Sequence, residues 1–513
     1  MIRKIRLAAG FFTVGVWTLA SKVLGFVRDI MIASALGSGP VAQAFLIAFA
    51  LPNMFRRFFA EGAFNTAFVP MFSKKIEAGE GAEDFAREAF SGLASVVLAT
   101  VLLGQVFMPF LVLAMASGFA DDARFALTVD YGRIVFPYIL FISLAALLSG
   151  VLNAMGRFAA AAAAPVLLNI ILVAALYLAA IMGWAVGVAL SWAVLLAGVA
   201  QMLLVWWAAR RAGITLLPRW PRLSPEMKRL AIIAFPAALA GGVVQVNLLV
   251  GRQVASYFDG AVAWLSYADR LYQLPLGVVG IAIGVVLLPD LSRRLRAGDE
   301  AGGNHSLNRA AEFSLALTLP AAVALMVIPY SLVSVLFERG AFGAGDTAAT
   351  ALAVAIYGAG LPSFVLAKVL APLFFAREDT RTPFRFALIS MLVNAVLAIG
   401  LSPYFGYLAA AIGTSVAGWS MLALLWLGSR KLGPAAAMDA RLRAKAPRLL
   451  LCSLIMGAAL LVAAQLLSPW LTGSPLRYAA LAALVAFGAI IYAISAMLTG
   501  ALRPSDLKAM LRK

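Results

Sequence analysis

Two long apolar runs near the start of the chain carry charges that the surrounding sequence does not invite. Lys22, Arg28 and Asp29 lie in the first run, and Arg56, Arg57 and Glu61 lie within or near the end of the second. A third run holds Ser266-Tyr267-Ala268-Asp269-Arg270-Leu271. A charge at bilayer depth costs at least a few kcal/mol, so such residues face a polar cavity or a partner. Three or more guanidinium or ammonium groups with few acids make a site for a polyanion, and the planar fork of arginine matches phosphate oxygens. The competing reading is a set of internal pairs, Arg28 with Asp29 and Arg270 with Asp269. Adjacent helical residues point about 100° apart, so the sequence argues against direct neutralisation within each pair.

Other chemistry is poorly represented. There is no phosphate-binding Gly-rich loop ending in Gly-Lys-Ser/Thr, no His-Glu-x-x-His, no Gly-x-Ser-x-Gly and no paired intramembrane carboxylate. Cys452 and His305 are the sole representatives of their types, which excludes an internal disulfide and argues against a Cys/His metal site or other cofactor. Asn304-His305-Ser306 forms a glycosylation triplet, but on the side of the membrane expected to face the cytoplasm. Lys368, Arg252 and Arg133 sit within or near the ends of apolar runs and can snorkel to an interface. Asn153, Asn169, Asn247 and Asn394 read as interhelical hydrogen-bond partners.

The elements that must position these residues are transmembrane helices. The chain has 513 residues, of which 63% are hydrophobic and 12% charged. A soluble protein carries about 25% charged residues. The apolar runs are continuous, not alternating, and about 20 residues or longer, which selects helices over barrel strands. Fourteen spans are expected, at about 8–36, 41–71, 88–116, 132–155, 159–182, 184–209, 228–256, 261–289, 308–336, 347–374, 382–402, 405–428, 447–467 and 477–499. The net charge of +18 does not indicate nucleic acid, because the basic residues fall mostly in loops. Loops after even-numbered spans carry Lys74, Lys75, Arg157, Arg210, Arg211, Arg293, Arg294, Arg377 and Arg430; those after odd-numbered spans hold little beyond Arg124, Arg339 and Arg477. The asymmetry puts both termini and the even loops in the cytoplasm.

An internal repeat organises the spans. Ala44-Phe45-Leu46 recurs as Ala263-Trp264-Leu265, and at the same offset Pro70-x-x-Ser73-Lys74-Lys75 recurs as Pro289-x-x-Ser292-Arg293-Arg294. Spans one to six then correspond to seven to twelve, with equal orientation because the unit has an even number of spans. The expected organisation is an all-α membrane protein with an N-terminal lobe at 1–217, a C-terminal lobe at 218–435 and a separate helix pair at 436–513. The repeat closes before that pair, so the pair is expected to be dispensable for the fold of the lobes. Under the pseudo-symmetry, Arg28 and Arg56 from one lobe and Arg270 from the other converge on a central cavity. Prolines such as Pro109, Pro137, Pro165, Pro329 and Pro362 mark kinks, and Gly241-Gly242 is the expected bending point of span seven.

Several motifs are shared with a known family. Lys22 to Asp29, Leu51 to Phe64, Gly118 to Asp121, Phe136 to Leu140, Tyr267 to Leu271 and Lys368 to Pro372 together resemble the MurJ (MviN) lipid II flippases of the multidrug/oligosaccharidyl-lipid/polysaccharide exporter superfamily. The resemblance runs in order along the whole chain. It implies fourteen helices, two six-helix lobes and a cationic cavity that flips undecaprenyl-diphosphate-linked disaccharide-pentapeptide across the bacterial inner membrane. It further implies a lipid-tail groove in the last two helices, with lipid II and membrane lipids as partners to a monomer that binds no nucleic acid. The family's cavity cations map onto Lys22, Arg28, Arg56 and Arg270, with Ser21, Asn53 and Asp269 as further substrate-binding positions. Lys22 departs from the arginine often found there, which keeps the charge and loses the fork. Gln43 and Ala50 stand where some relatives carry Asp and Lys, and spans seven, eleven and twelve lack acids suited to a sodium site. Another lipid-linked oligosaccharide flippase or a cation-coupled multidrug exporter of the same superfamily is the alternative; the exporter's cavity calls for acids, and this chain offers mainly arginine.

Overall fold

The computed structural model describes residues 2–56, 63–282, 287–472 and 474–502. Arg57 and Glu61 lie outside the described residues. The chain divides into two compact units, Met1–Ala263 and Trp264–Lys513. Among the described residues every regular element is a helix.

The first unit comprises α1 (Ile2–Leu36), α2 (Pro40–Arg56), α3 (Ala63–Ala78), α4 (Ala82–Val106), α5 (Met108–Ala116), α6 (Ala123–Val135), α7 (Tyr138–Ala154), α8 (Ala159–Met182), α9 (Val186–Arg211) and α10 (Pro225–Ser256). The second holds α12 (Leu288–Arg296), α13 (Glu300–Val327), α14 (Pro329–Phe337), α15 (Ala344–Phe375), α16 (Arg381–Phe405), α17 (Leu408–Ser429), α18 (Ala440–Leu466), α19 (Ser468–Leu471) and α20 (Arg477–Leu498), and the boundary falls near the start of α11 (Ala261–Ala282). α10 runs unbroken through Gly241 and Gly242.

Three spans expected to be single helices are each divided by proline, one of them at Pro137 between α6 and α7. α4 stops at Val106 and α5 opens with Pro109 in its first turn; α13 stops at Val327 and α14 opens on Pro329. Proline lacks the amide hydrogen and its ring clashes with the preceding turn, so it ends one helix and starts the next. The linking residues Phe107 and Ile328 leave helical geometry at ψ 16° and 38°. Some lengths recur between the two units. α5 and α14 are each 9 residues long, and the spans that follow them, Ala123–Ala154 and Ala344–Phe375, are each 32. The two signature pieces fall on α2 and α11, and on α3 and α12.

Ten helices among the described residues are long and apolar enough to cross a membrane. The other four expected spans correspond to α1, α2 with α3, α10, and α11 with α12. In the most apolar stretch of α16 only 11% of the residues are buried, and in that of α20 only 22%, so these helices turn their apolar side chains outward, as lipid contact requires.

In the first unit Phe68, Phe72, Phe85, Leu93, Leu147 and Val151 join α3, α4 and α7 into one core. A second core unites Phe45, Tyr138, Leu172, Leu190 and Val194. Close helix approach depends on glycine here. A Cβ on Gly198 would meet Tyr138 Cδ2 at 2.6 Å, and one on Gly104 would meet the Phe136 ring at 2.1 Å. This packing gives the Phe136-Pro137-Tyr138 motif a structural role, and Tyr138 donates to Gln201 Oε1 at 3.2 Å. In the second unit Leu449, Cys452, Met456, Leu460 and Leu484 of α18 and α20 pack with Val323 and Val335 of α13 and α14.

Candidate functional site

On α1, residues 21, 25, 28 and 29 recur at helical spacing and so share a face. That face meets α8. Arg28 is 7% exposed and Asp29 8%. Arg28 donates to Asp29 Oδ1 from Nε at 3.0 Å and from Nη2 at 2.6 Å, and from Nη1 to Asn169 Oδ1 at 2.8 Å. Asn169 Nδ2 donates in turn to the Ser21 carbonyl at 2.9 Å and the Ser21 hydroxyl at 3.4 Å. Gly25 lies against this asparagine, where a Cβ would make ordinary contact with the Asn169 amide at 3.6 Å. The direct Arg28–Asp29 pair corrects the sequence argument. Their Cα–Cβ vectors diverge, but the long arginine side chain bends back, and burial makes pairing the way to hold both charges.

The other first-unit positions are placed differently. Lys22 is exposed, with no carboxylate in ion-pair range among the described residues. Arg56 is half-buried as the last residue of α2. Asn53 Nδ2 donates to the Phe49 carbonyl at 2.8 Å, within its own helix. Arg28 lies 5.9 Å from the Phe49 ring, which ties α2 to the same polar face.

In the second unit, Tyr267, Ala268 and Leu271 are the buried residues of the α11 motif. Tyr267 packs on Phe337 and Phe342 at 5.5 and 5.6 Å between ring centres. Asp269 and Arg270 lie on the opposite face, Arg270 exposed and Asp269 accepting from Gln273. Trp264, the repeat counterpart of Phe45, donates to Asp346 Oδ1 at 2.7 Å, and Asp346 also accepts from the Gly343 amide at the start of α15.

Two polar clusters escaped sequence reading. Arg124 is 6% exposed and meets Asp122 at 2.5 Å, Asp259 at 3.3 Å and Gln43 Oε1 at 3.2 Å, with its guanidinium 4.4 Å from the Phe119 ring. Hydrogen bonds from the Arg124 side chain and amide hold the Asp122 carboxyl below its usual range against partial burial. Beside it, Gln253 of α10 accepts from the Ser117 amide at 2.7 Å, and a Cβ on Gly118 would meet the Ser256 backbone at 2.5 Å. Gly118 of the family motif thus allows a backbone-to-backbone approach. The second cluster centres on Glu312 of α13, 2% exposed, which accepts from Arg441 at 2.9 and 3.0 Å, from Lys445 at 2.5 Å and from Arg309. Arg309 also pairs with Asp439, which caps α18 by accepting from the Leu442 amide at 2.6 Å. The signal for this cluster was an acid inside an apolar span, Glu312, and a basic run, Arg441 to Lys445, that share a unit.

No group of three or more metal-ligating side chains occurs among the described residues. Arg28 is paired with Asp29 of its own helix and tied to α8 through Asn169. The family model described as lipid II flippase MurJ matches residues 32–481. The chain belongs to the MurJ lipid II flippase family. A probable lipid II flippase MurJ of Rhizobium meliloti (strain 1021) is 49% identical over 94% of this chain and 92% of that protein. One of Rhizobium tropici is 44% identical over 96% and 94%. Among solved structures, a lipid II flippase MurJ in an inward closed conformation is similar with a TM-score of 0.80 at 25% identity, covering 94% of this chain and 98% of that one. A multidrug resistance MATE family transporter of the MOP superfamily shares the fold, with a TM-score of 0.69 at 15% identity, over 82% of this chain and 96% of that one. The family expected from the sequence motifs is the family found. It is a family of transporters, not enzymes, and with ten apolar helices among the described residues the chain is a multi-pass inner-membrane protein.

Proposed function

We propose that this chain flips lipid II, undecaprenyl-diphosphate-linked disaccharide-pentapeptide, from the cytoplasmic to the outer leaflet by alternating access, supplying peptidoglycan synthesis. The observation that carries the reading is full-length similarity to proteins named as lipid II flippases, at up to 49% identity over 94% of the chain. The membrane spans number fourteen in this reading, with lobes at 1–217 and 218–435 and a helix pair at 436–513. Both termini are cytoplasmic, the protein acts as a monomer, and membrane lipids surround it. The loop charges and the repeat support this layout.

Lys22, Arg28, Arg56 and Arg270 bind the diphosphate, with Ser21, Asn53 and Asp269 placing them. Arg28 supports this assignment, because its burial beside Asp29 and Asn169 fixes a charge that an apolar span would otherwise exclude. The alternative of a cation-coupled drug exporter rests on a shared fold alone, and the candidate site is rich in arginine where a cationic drug would call for acids. The test is reconstituted flipping of a fluorescent lipid II, set beside efflux of a cationic dye. Flipping without dye efflux is expected; dye efflux without flipping would reverse the reading.

A further inference from the structure

Basic residues are scarce in the loops after odd-numbered spans, and the structure gives the three of them different surroundings. Arg124 is neutralised by Asp122 and Asp259. Arg339 and Arg477 have no carboxylate in ion-pair range among the described residues. Although 138 positions apart, they meet at one aromatic ring. The Arg339 guanidinium carbon lies 5.6 Å from the centre of the Tyr478 ring, and that of Arg477 lies 5.2 Å from it.

Backbone contacts hold both side chains in place. Arg339 Nη2 donates to the Val335 carbonyl at 2.9 Å and to that of Leu336 at the end of α14, while its Nε is buried without a hydrogen-bond partner. Arg477 Nη1 donates to the Glu338 carbonyl at 3.1 Å. The Glu338 carboxylate is engaged elsewhere, accepting from Thr347 at 2.9 Å. Tyr478 is 50% exposed and Trp470 of α19 48% exposed. Exposed Tyr and Trp on an apolar helix pair belong at the headgroup level of a bilayer. Two unneutralised guanidiniums at that level present donors to a phosphate borne by a lipid.

We infer that Arg339, Arg477 and Tyr478 form an extracytoplasmic site for the phosphate of a lipid headgroup, which receives the lipid diphosphate as it leaves the transporter. The inference rests on the proposed orientation and flippase activity. Its geometry suits that role, because α14 and α20 pack together beside the apolar core that joins α13 and α14 to α18 and α20. A polyprenyl tail lying against these helices would bring its diphosphate to the arginines.

The test uses the full chain in nanodiscs, in a Lys22→Ala/Arg270→Ala background that weakens the proposed cavity site. The probes are undecaprenyl diphosphate, phosphatidylglycerol and inorganic pyrophosphate, with bound lipid read by native mass spectrometry. Arg477→Gln is expected to weaken undecaprenyl diphosphate binding about tenfold, and Arg339→Gln/Arg477→Gln about a hundredfold. Arg477→Lys, which keeps the charge, is expected to retain most of the binding and controls for folding. A matching loss of phosphatidylglycerol would support the site with bulk phospholipid as its occupant. Unchanged binding of both lipids in the double variant, or a loss confined to pyrophosphate, would overturn it. Failure of the parent chain to flip lipid II would instead remove the flippase reading, which this binding measurement does not use.

Discussion

Arg28 is bound on one side by its chain neighbour Asp29, at 2.6 Å, and on the other by Asn169 of α8, at 2.8 Å. The pair has a consequence for mutagenesis. Removing one member of a buried ion pair leaves an uncompensated charge and costs about 3–5 kcal/mol, so Arg28→Ala is expected to lose stability as well as flipping. Arg28→Ala/Asp29→Asn should recover much of the stability and none of the flipping. Thermal unfolding in detergent beside a reconstituted flipping assay separates the two. Recovery of flipping in the double variant would show that Arg28 serves the fold alone.

Glu312 faces three cations, Arg309, Arg441 and Lys445, so its removal leaves them to repel one another beneath α18. Glu312→Ala is expected to destabilise the second unit by about 3–5 kcal/mol, as for other broken buried pairs. Hydrogen exchange should rise first near Asp439 to Leu442, where α18 begins. The same cluster and the apolar contacts of Leu449, Cys452 and Met456 alter the view of the C-terminal pair as dispensable. Deleting 440–502 should lower the thermal stability of the remainder; an unchanged melting temperature would restore the earlier view.

Much of this was legible in the sequence for a plain reason: a charge in an apolar run is conspicuous. Lys22, Arg28, Arg56 and Arg270 could be found that way, and the family motifs followed from them. What stayed hidden depended on contacts between distant positions. Glu312 and Lys445 are 133 residues apart, and nothing local marks their meeting. The Arg28–Asp29 pair was missed because backbone spacing describes where side chains leave the helix, not how far a four-bond side chain can bend. The divided spans were missed because hydropathy continues across Phe107 and Ile328 while the backbone does not.

Gly198 permits α9 to approach Tyr138 to a distance that no larger residue allows. Gly198→Leu is expected to cost about 1–3 kcal/mol through overpacking. The substitution should lower the melting temperature, and the additional change Tyr138→Ala should relieve part of that loss by opening space. If Gly198→Leu alone melts like the parent, α7 and α9 are not packed as described.

Asp122 supplies a pH dependence of known sign. Its carboxyl is held below the ordinary value of 3.8, mainly by the Arg124 side chain and then by the Arg124 amide. A depressed folded-state value contributes stability that is fully present above the unfolded value and is lost as pH falls below it, through the folded value. Melting temperature should therefore drop on acidification below about 4, and less steeply in Asp122→Asn. Asp290 and Asp379 are also held low and persist in the variant, so the difference between the two curves is the measurement. Parallel curves would show that the Asp122–Arg124 pair adds nothing to stability. The Asp122 side chain is 40% exposed, so solvent screening keeps the effect modest.

The energy source follows from the charge of the cargo. A diphosphate carries about two negative charges, and the cell interior is negative, so outward passage runs down the membrane potential. Each charge gains about 2.3 kcal/mol per 100 mV, or roughly 4.6 kcal/mol for the dianion at that potential. Cations of the site oppose part of this where they move through the field with the substrate. On the return step the proposed cationic site, once empty, would be drawn toward the negative interior, so the same potential would reset the transporter. Neither step calls for a nucleotide site or an ion-binding carboxylate, and the sequence holds no nucleotide-binding loop of the Gly-Lys-Ser/Thr type. Flipping should therefore stop when the potential is clamped at zero with potassium and valinomycin, and continue when sodium is removed at fixed potential. Full activity at zero potential, or strict dependence on sodium at constant potential, would refute the potential-driven cycle.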